Sequence, residues 1–420
     1  MRFHIQGQKK LTGTIHVSGA KNAILPIIAA TTLTNKTCII DNVPRISDVD
    51  TMLEILRSVG GSVAWTGEHQ LTISNKDLEL QPLDTKLVKR LRASVLFLGP
   101  FLARFQSFSL PEPGGCIIGN RPLDSHLEGL RALGCIWERT PQSYEVSHSG
   151  LVGADVVLRE ASVTATENIV MAACAARGTT RIINAASEPH VQDLIAFLIK
   201  MGADISGGGT STITVNGSNS LGGAQHTVIP DPIDAGTYII LGIASKSKIT
   251  VTDIRLDHLD VVLETLRAMG AEFDRLERSI IIHQTGVLKS EKIETRIYPG
   301  IPTDLQPLFG VLATQAHGTS FIHETLFESR LGYLSELEKM GASVLISDAH
   351  RAYVTGPTPL NGRNIECRDL RAGASLVVAA LIASGETSIE NAQILDRGYE
   401  KIDEHLAQIG ASIIREDSAN

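Results

Sequence analysis

Aromatic side chains are scarce, at 4% of the sequence, so any core must be assembled from Ala, Ile, Leu, Val and Gly, a palette that favours close helix packing. The five cysteines (Cys38, Cys116, Cys135, Cys174, Cys367) are odd in number and lack CxxC spacing, which argues against a disulfide framework and against a zinc site. No segment offers the ~18 uninterrupted apolar residues of a membrane span. The opening Met1-Arg-Phe-His-Ile-Gln lacks the apolar core of a secretory signal, so the expected location is the cytosol. Neither sign of charge dominates: 38 Lys and Arg against 46 Asp and Glu leave a formal charge of −8. Nucleic acid gains no global attraction from that balance, and an anionic small molecule would have to be held by a local cluster. GxxxxGK[ST] and HExxH are both missing, Gly207-Gly-Gly-Thr is a lone glycine cluster without a following helix, and the thirteen histidines are scattered. Neither nucleotide hydrolysis nor metal chemistry is signalled, and no cofactor is expected.

What is present is a repeat. At 420 residues, with 43% hydrophobic and 20% charged residues, the chain is an ordinary globular sequence too long for one core. One short phrase recurs: Ser58-Val-Gly-Gly-Ser, Ala132-Leu-Gly-Cys-Ile, Lys200-Met-Gly-Ala-Asp, Ala268-Met-Gly-Ala-Glu, Lys339-Met-Gly-Ala-Ser and Gln408-Ile-Gly-Ala-Ser. Its glycines (Gly60, Gly134, Gly202, Gly270, Gly341, Gly410) are spaced 68 to 74 residues apart, so six units fill the chain. Before each glycine the spacing predicts an amphipathic helix, as at Leu259, Val262, Leu263 and Leu266, with the glycine as C-cap. Strand-like stretches such as Lys248-Ile-Thr-Val-Thr and Ser279-Ile-Ile-Ile flank it.

A second helix per unit is apolar nearly all round and rich in Ala and Gly, with copies beginning near Lys21, Arg92, Thr164, Ala235, Asp304 and Arg371. A helix without a polar face is internal. Each unit therefore sets one buried and one surface helix against a small sheet. The Gly-rich stretch Ser206–Gly223 divides the six units into three and three, which favours two pseudo-threefold halves facing a cleft over the alternative of one continuous solenoid.

The starts of the internal helices are not bland. They carry Lys21 with Asn22, Arg92, Ser162 with Thr164, Asp234 with Thr237, Asp304, and Asp369 with Arg371. Ser162, Thr303, Asp304 and Asp369 are also ordinary N-cap types, and capping alone is an open alternative for each. Lys21, Arg92 and Arg371 are different, because a cation at a helix N-terminus opposes the dipole unless an anion is shared. The second unit also holds an extended loop, Leu110-Pro-Glu-Pro-Gly-Gly-Cys-Ile-Ile-Gly-Asn-Arg-Pro-Leu-Asp124, with Arg121 five residues past Cys116. A nearby guanidinium would lower a thiol pKa from its ~8.5 reference and make Cys116 reactive. For Cys38, Cys135 and Cys174, the reading as small hydrophobes suffices.

Ser18-Gly-Ala-Lys-Asn-Ala, Leu91-Arg-Ala-Ser, Pro113-Gly-Gly-Cys-Ile-Ile-Gly-Asn-Arg-Pro, Pro302-Thr-Asp, Phe327-Glu-Ser-Arg330, Asp369-Leu-Arg371 and Asp396-Arg-Gly-Tyr occur in that order. Together they resemble the UDP-N-acetylglucosamine 1-carboxyvinyltransferase (enolpyruvyl transferase) family from Met1 to about Glu416. The resemblance implies a two-domain inside-out α/β barrel of six βαβαββ-type repeats, three per domain. Residues 22–229 would form one domain, 1–21 with 230–420 the other, and the active site would lie in the cleft between them. It implies transfer of the enolpyruvyl group of phosphoenolpyruvate to the 3-hydroxyl of UDP-N-acetylglucosamine, the entry to peptidoglycan synthesis, with Cys116 open to fosfomycin, an epoxide analogue of phosphoenolpyruvate.

On the same resemblance, Lys21 and Asn22 contact phosphoenolpyruvate and the sugar, while Arg92, Arg121 and Arg397 surround phosphate and carboxylate. Cys116 is the proton donor and Asp304 the base at the sugar hydroxyl. Arg121, Pro122, Leu123, Asp124 and Ser125, then Ser162, Val163 and Thr164, and Leu326 line the nucleotide sugar, with Arg330, Asp369 and Arg371 in support. The addition needs one acid at C3 and one base at the hydroxyl, and no metal. Ser47 departs from the family pattern where a basic residue is frequent, with Arg45 close enough to substitute; Thr164 replaces a frequent Gly, and Glu160 a Lys. The competing readings are a transferase acting on shikimate 3-phosphate and a silent nucleotide-sugar-binding paralogue.

Overall fold

The computed structural model describes residues 1–114, 118–218 and 220–417. The chain divides into two compact units. Unit 1 comprises Met1–Ser18, Cys116–Asn120 and Pro230–Asn420, and unit 2 comprises Gly19–Gly115 and Arg121–Ile229.

Both units repeat one local plan. Apolar residues on every side enclose the inner helices Lys21–Ala30, Leu98–Arg104, Val163–Ala173, Pro232–Ala244, Gln306–Ala313 and Leu370–Ile382. The second inner helix is entered through a 3-10 turn, Arg92–Phe97, and Pro100 falls in its first turn, where a missing N–H costs nothing. The outer helices Ser47–Ser58, Asp124–Ala132, Pro189–Lys200, Asp260–Ala268, Tyr333–Lys339 and Ile402–Gln408 bury one face each. In Asp260–Ala268 that face is Val262, Leu263 and Leu266. The six repeated glycines follow these outer helices in the left-handed region, at φ between 90° and 104°, a conformation an L side chain resists and a C-cap glycine accepts.

Each unit carries three small sheets outside its inner helices. Parallel strand pairs bracket an inner helix in the βαβ sense: Asp155–Val157 with Thr179–Ile183, Lys292–Glu294 with Gly318–His323, and Asn364–Glu366 with Glu386–Glu390. The N-terminal strand Arg2–Gln6 lies antiparallel between Glu386–Glu390 and Ser412–Glu416, with Phe3 opposite both Ile389 and Arg415. Thr12–His16 runs parallel to Lys248–Thr252. In unit 2, Gln225–Thr227 returns to run parallel to Cys38–Asp41.

The second repeat departs from the βαβαββ plan. Its sheet has three strands, Ser107–Pro111, Cys135–Arg139 and Ser143–His148, and the short helix Thr85–Arg90 stands ahead of its inner helix. Pro82 and the cations Lys86, Lys89 and Arg90 are poor strand residues there. Two hydrophobic clusters, one per unit, are built almost wholly from aliphatic side chains, as the shortage of aromatics requires.

Candidate active site

In unit 1, Asp304 is the hub of a buried ionic cluster. Arg330 Nη2 donates to Asp304 Oδ1 at 2.6 Å and Arg371 Nε donates to Oδ2 at 3.0 Å. The two arginine side chains are only 3% and 4% exposed, whereas Asp304 retains 24%. One carboxylate is thus presented outward from a socket of two cations. Arg330 also donates through Nε to Thr303 Oγ1 at 3.2 Å and lies 3.5 Å from Asp369. Thr303 in turn donates to the fully buried Glu324 at 2.8 Å. Glu324 accepts from the backbone N–H of Leu326 and Phe327 as well, fixing the turn that leaves Leu326 39% exposed. Burial acts to lower the pKa of Arg371, and Asp304, Tyr399 and Asp231 together outweigh it, so the guanidinium is held more firmly charged than an ordinary arginine.

Capping explains some helix starts and not others. Asp369 is a true cap, accepting from Arg371 N at 3.0 Å and Ala372 N at 3.1 Å. Ser162 makes no side-chain cap bond, and the helix after Asp304 is entered through Leu305. The cap of Pro232–Ala244 is Asp231 rather than Asp234. Asp234 sits buried in the first turn, accepting from Ser18 N at 3.3 Å. Burial, reinforced by the charge of Asp231, pushes its carboxyl up to about 8. Arg397 is half-buried at the end of the 3-10 turn Ala392–Arg397.

Cys116 lies outside the described residues. Its loop neighbours are assigned to unit 1, where Ile118 O accepts from Ser329 N at 3.1 Å and Asn120 N donates to Glu328 Oε1 at 2.8 Å. Gly119 has φ 148°, and a Cβ there would stand 2.4 Å from Glu328 Oε2, so any side chain must displace that carboxylate.

Unit 2 supplies the second group. Lys21, in the first turn of its inner helix and only 11% exposed, is 2.5 Å from Asp48 Oδ2, with Asn22 half-buried beside it in sequence. Arg92 donates to the carbonyl of Arg121. Burial and then repulsion from the Arg121 charge lower its pKa to about 10. The segment that follows exposes Pro122 and Asp124 and buries Leu123. Ser125 donates to Glu160 at 2.9 Å, which gives that acid a local partner. Thr164 meets His126 Nε2 at 2.8 Å. Burial and the Arg92 charge push His126 down to about 3, so it is a neutral partner. Ser162, Val163 and Thr164 are all half-buried at the mouth of their helix.

Several of these participants were not legible in the sequence: Asp48, His126 and Glu324 are ordinary residue types known only by whom they meet. Arg45 is committed elsewhere. Its guanidinium lies 3.3 Å over the Trp65 ring and donates to the carbonyls of Glu68 and Gly67, so it does not stand in for a cation at Ser47. Cys38, Cys135, Cys174 and Cys367 are buried. Burial pushes Cys135 and Cys174 up to about 12.

Residues 5–406 match the profile of the family described as EPSP synthase (3-phosphoshikimate 1-carboxyvinyltransferase). UDP-N-acetylglucosamine 1-carboxyvinyltransferase 1 of Carboxydothermus hydrogenoformans is 43% identical over 414 residues, covering 99% of this chain and 98% of that protein. UDP-N-acetylglucosamine 1-carboxyvinyltransferase 2 of Bacillus anthracis is 41% identical over 98% of this chain and 96% of its own length. Among solved structures, the enolpyruvyl transferase NikO from Streptomyces tendae superposes with a TM-score of 0.89 at 25% identity, over 98% of each chain. EPSP synthase from Acinetobacter baumannii shares the fold at TM-score 0.74 and 19% identity, over 99% of this chain and 100% of its own.

Proposed function

This chain belongs to the enolpyruvyl transferase family, alongside its UDP-N-acetylglucosamine 1-carboxyvinyltransferases, and we propose that it transfers the enolpyruvyl group of phosphoenolpyruvate to the 3-hydroxyl of UDP-N-acetylglucosamine, releasing phosphate. The observation that carries this reading is 43% identity sustained across 99% of the chain, a span that includes both charged groups. The product would be committed to peptidoglycan synthesis, and the reaction belongs in the cytoplasm, where nucleotide sugars are made. Consistent with that setting, no helix among the described residues is long and apolar enough to cross a membrane.

The chemistry assigns a task to each group. As the sugar hydroxyl attacks C2 of the enol, its proton passes to Asp304 while C3 takes a proton from the Cys116 thiol. Ionised, Asp304 offers only acceptors, which is the form that the N–H groups of Arg330 and Arg371 meet. The resulting tetrahedral adduct then returns one C3 proton to the Cys116 thiolate as the C2–O bond to phosphate breaks, restoring the double bond and the thiol. Lys21, Arg92, Arg121 and Arg397 carry the phosphate and carboxylate charges through both steps. Arg121 to Ser125, Ser162 to Thr164, Asn22 and Leu326 hold the nucleotide sugar, with Asp369 supporting Arg330. The reading requires both groups to act on a single pair of substrates.

The test is phosphate release by the purified chain supplied with phosphoenolpyruvate and one acceptor. Release is expected with UDP-N-acetylglucosamine and not with shikimate 3-phosphate. Release with the latter only would move the chain to the other branch of the family, and release with neither would make it a silent paralogue.

A further inference from the structure

Arg415, on the last strand of unit 1, uses all five of its N–H donors in a single junction. Nε and Nη2 donate to Asp403 Oδ2 and Oδ1 at 2.9 and 2.6 Å. Nη1 and Nη2 donate to Asp396 Oδ2 and Oδ1 at 2.9 and 3.0 Å. The remaining Nη1 direction meets Met1 Sδ at 3.2 Å, and the guanidinium carbon lies 5.2 Å from the Phe3 ring centroid. One guanidinium therefore bridges two carboxylates, each bidentately, and ties both to a strand paired with the N-terminal strand.

The residues between those two aspartates include Arg397 and Tyr399. Tyr399 is buried, with its hydroxyl 2.9 Å from Thr237 Oγ1 and its ring 5.3 Å from the guanidinium carbon of Arg371. Thr237 has one O–H, and that donates to Ile233 O at 2.8 Å. Tyr399 must then be the donor to Thr237, which gives this contact a fixed polarity. Lys401 has φ 43°, a left-handed conformation that a lysine does not hold unaided. The turn thus depends on outside ties, and Arg415 supplies the ties at both of its ends.

We propose that Arg415 is a positioning residue for the transfer reaction: by clamping Asp396 and Asp403 it fixes the turn that presents Arg397 to phosphoenolpyruvate. This rests on the reading of the function given above, in which Arg397 meets that substrate. A lysine cannot replace it, because one ammonium has no planar fork with which to grip two carboxylates.

The experiment is a double-mutant cycle in the full chain, with KM for each substrate and kcat measured for wild type, Arg397→Ala, Arg415→Ala and the double variant. Arg415→Ala is expected to raise KM for phosphoenolpyruvate on the order of tenfold, while KM for UDP-N-acetylglucosamine stays within about twofold. In the Arg397→Ala background the same substitution should add less than about twofold, since its route is already gone. Arg415→Lys should recover little. Asp403→Asn, which cuts half of the clamp, should shift the same KM in the same direction and serves if Arg415→Ala does not fold. An equal effect of Arg415→Ala in both backgrounds, an unchanged KM for phosphoenolpyruvate, or an equal rise in both KM values would overturn the proposal. A wild type that releases no phosphate would instead strike the underlying reading of function.

Discussion

Arg330 and Arg371 of unit 1 and Arg92 of unit 2 meet charge in opposite ways, whereas Lys21 of unit 2, like the unit 1 pair, is matched to a carboxylate, that of Asp48. In unit 1, Arg330 and Arg371 are buried against Asp304, and the half-buried Arg415 pairs with two further aspartates, so positive charge is neutralised before any substrate arrives. In unit 2, Arg92 is half-buried beside the charge of Arg121, and its pKa falls accordingly. On the proposed function the Arg92 arrangement is one that an anionic substrate would relieve, whereas the unit 1 group holds a carboxylate between two guanidinium groups. On that reading, the phosphate-bearing substrate is gripped by one part of the chain and the base for its partner is held by another.

The contrast is most sharply tested at Asp304. Asp304→Asn keeps the size and polarity of the side chain but cannot take up the hydroxyl proton, so kcat should fall by about a thousandfold. The KM for the nucleotide sugar should move far less. A variant turning over within a few-fold of wild type would remove Asp304 as the base and leave unit 1 a structural knot.

Next in size is a pair of substitutions that should move stability in opposite directions. Arg371→Met strips the half-buried Asp304 carboxylate of one partner and should lower the thermal midpoint by roughly 5 to 10 °C. Arg92→Met should hold or raise it. Because folding depresses the pKa of Arg92 from 12.5 to about 10, the charged side chain opposes folding at every pH below about 10, and that opposition fades only above it. Added phosphoenolpyruvate should then stabilise the wild type more than Arg92→Met. Equal losses of midpoint in both variants would erase the distinction between the two arginines.

The smallest effect concerns Asp234, whose folded carboxyl is raised from 3.8 to about 8. The native state keeps a proton that the unfolded chain gives up near pH 4, so this group's contribution to stability is full below about pH 4 and declines up to about pH 8. Asp234→Asn lacks that decline. Its thermal midpoint relative to wild type should rise between pH 4 and pH 8 and level off above. A gap independent of pH would mean that Asp234 is ionised in its buried place.

How far the sequence discloses this arrangement depends on range. Periodicity and the recurring glycine are local signals, and they locate both helices of each unit, because a C-cap needs a left-handed residue wherever it occurs in the chain. The three-stranded sheet of the second repeat is not visible in that signal, since repetition says nothing about Pro82 standing in one copy. At the candidate site, Lys21, Arg92, Asp304 and Arg371 announced themselves as charges where an apolar helix begins. Their partners did not. Asp48 lies 27 residues from Lys21 and Arg371 lies 67 from Asp304, and no spacing rule reaches across such gaps. Asp231 adds a further case: it takes the cap bonds of its helix three residues ahead of Asp234, and nothing in the repeat pattern singles it out.

The central claim is that C3 of phosphoenolpyruvate gains a proton and then gives one up around a tetrahedral adduct. Running the wild-type phosphate-release reaction in D2O and weighing the sugar product tests it most directly. Deuterium at the enolpyruvyl methylene carbon is the expected result, because the thiol exchanges with solvent before it delivers its proton. A product formed at full rate with only the original hydrogens at that carbon would contradict the account.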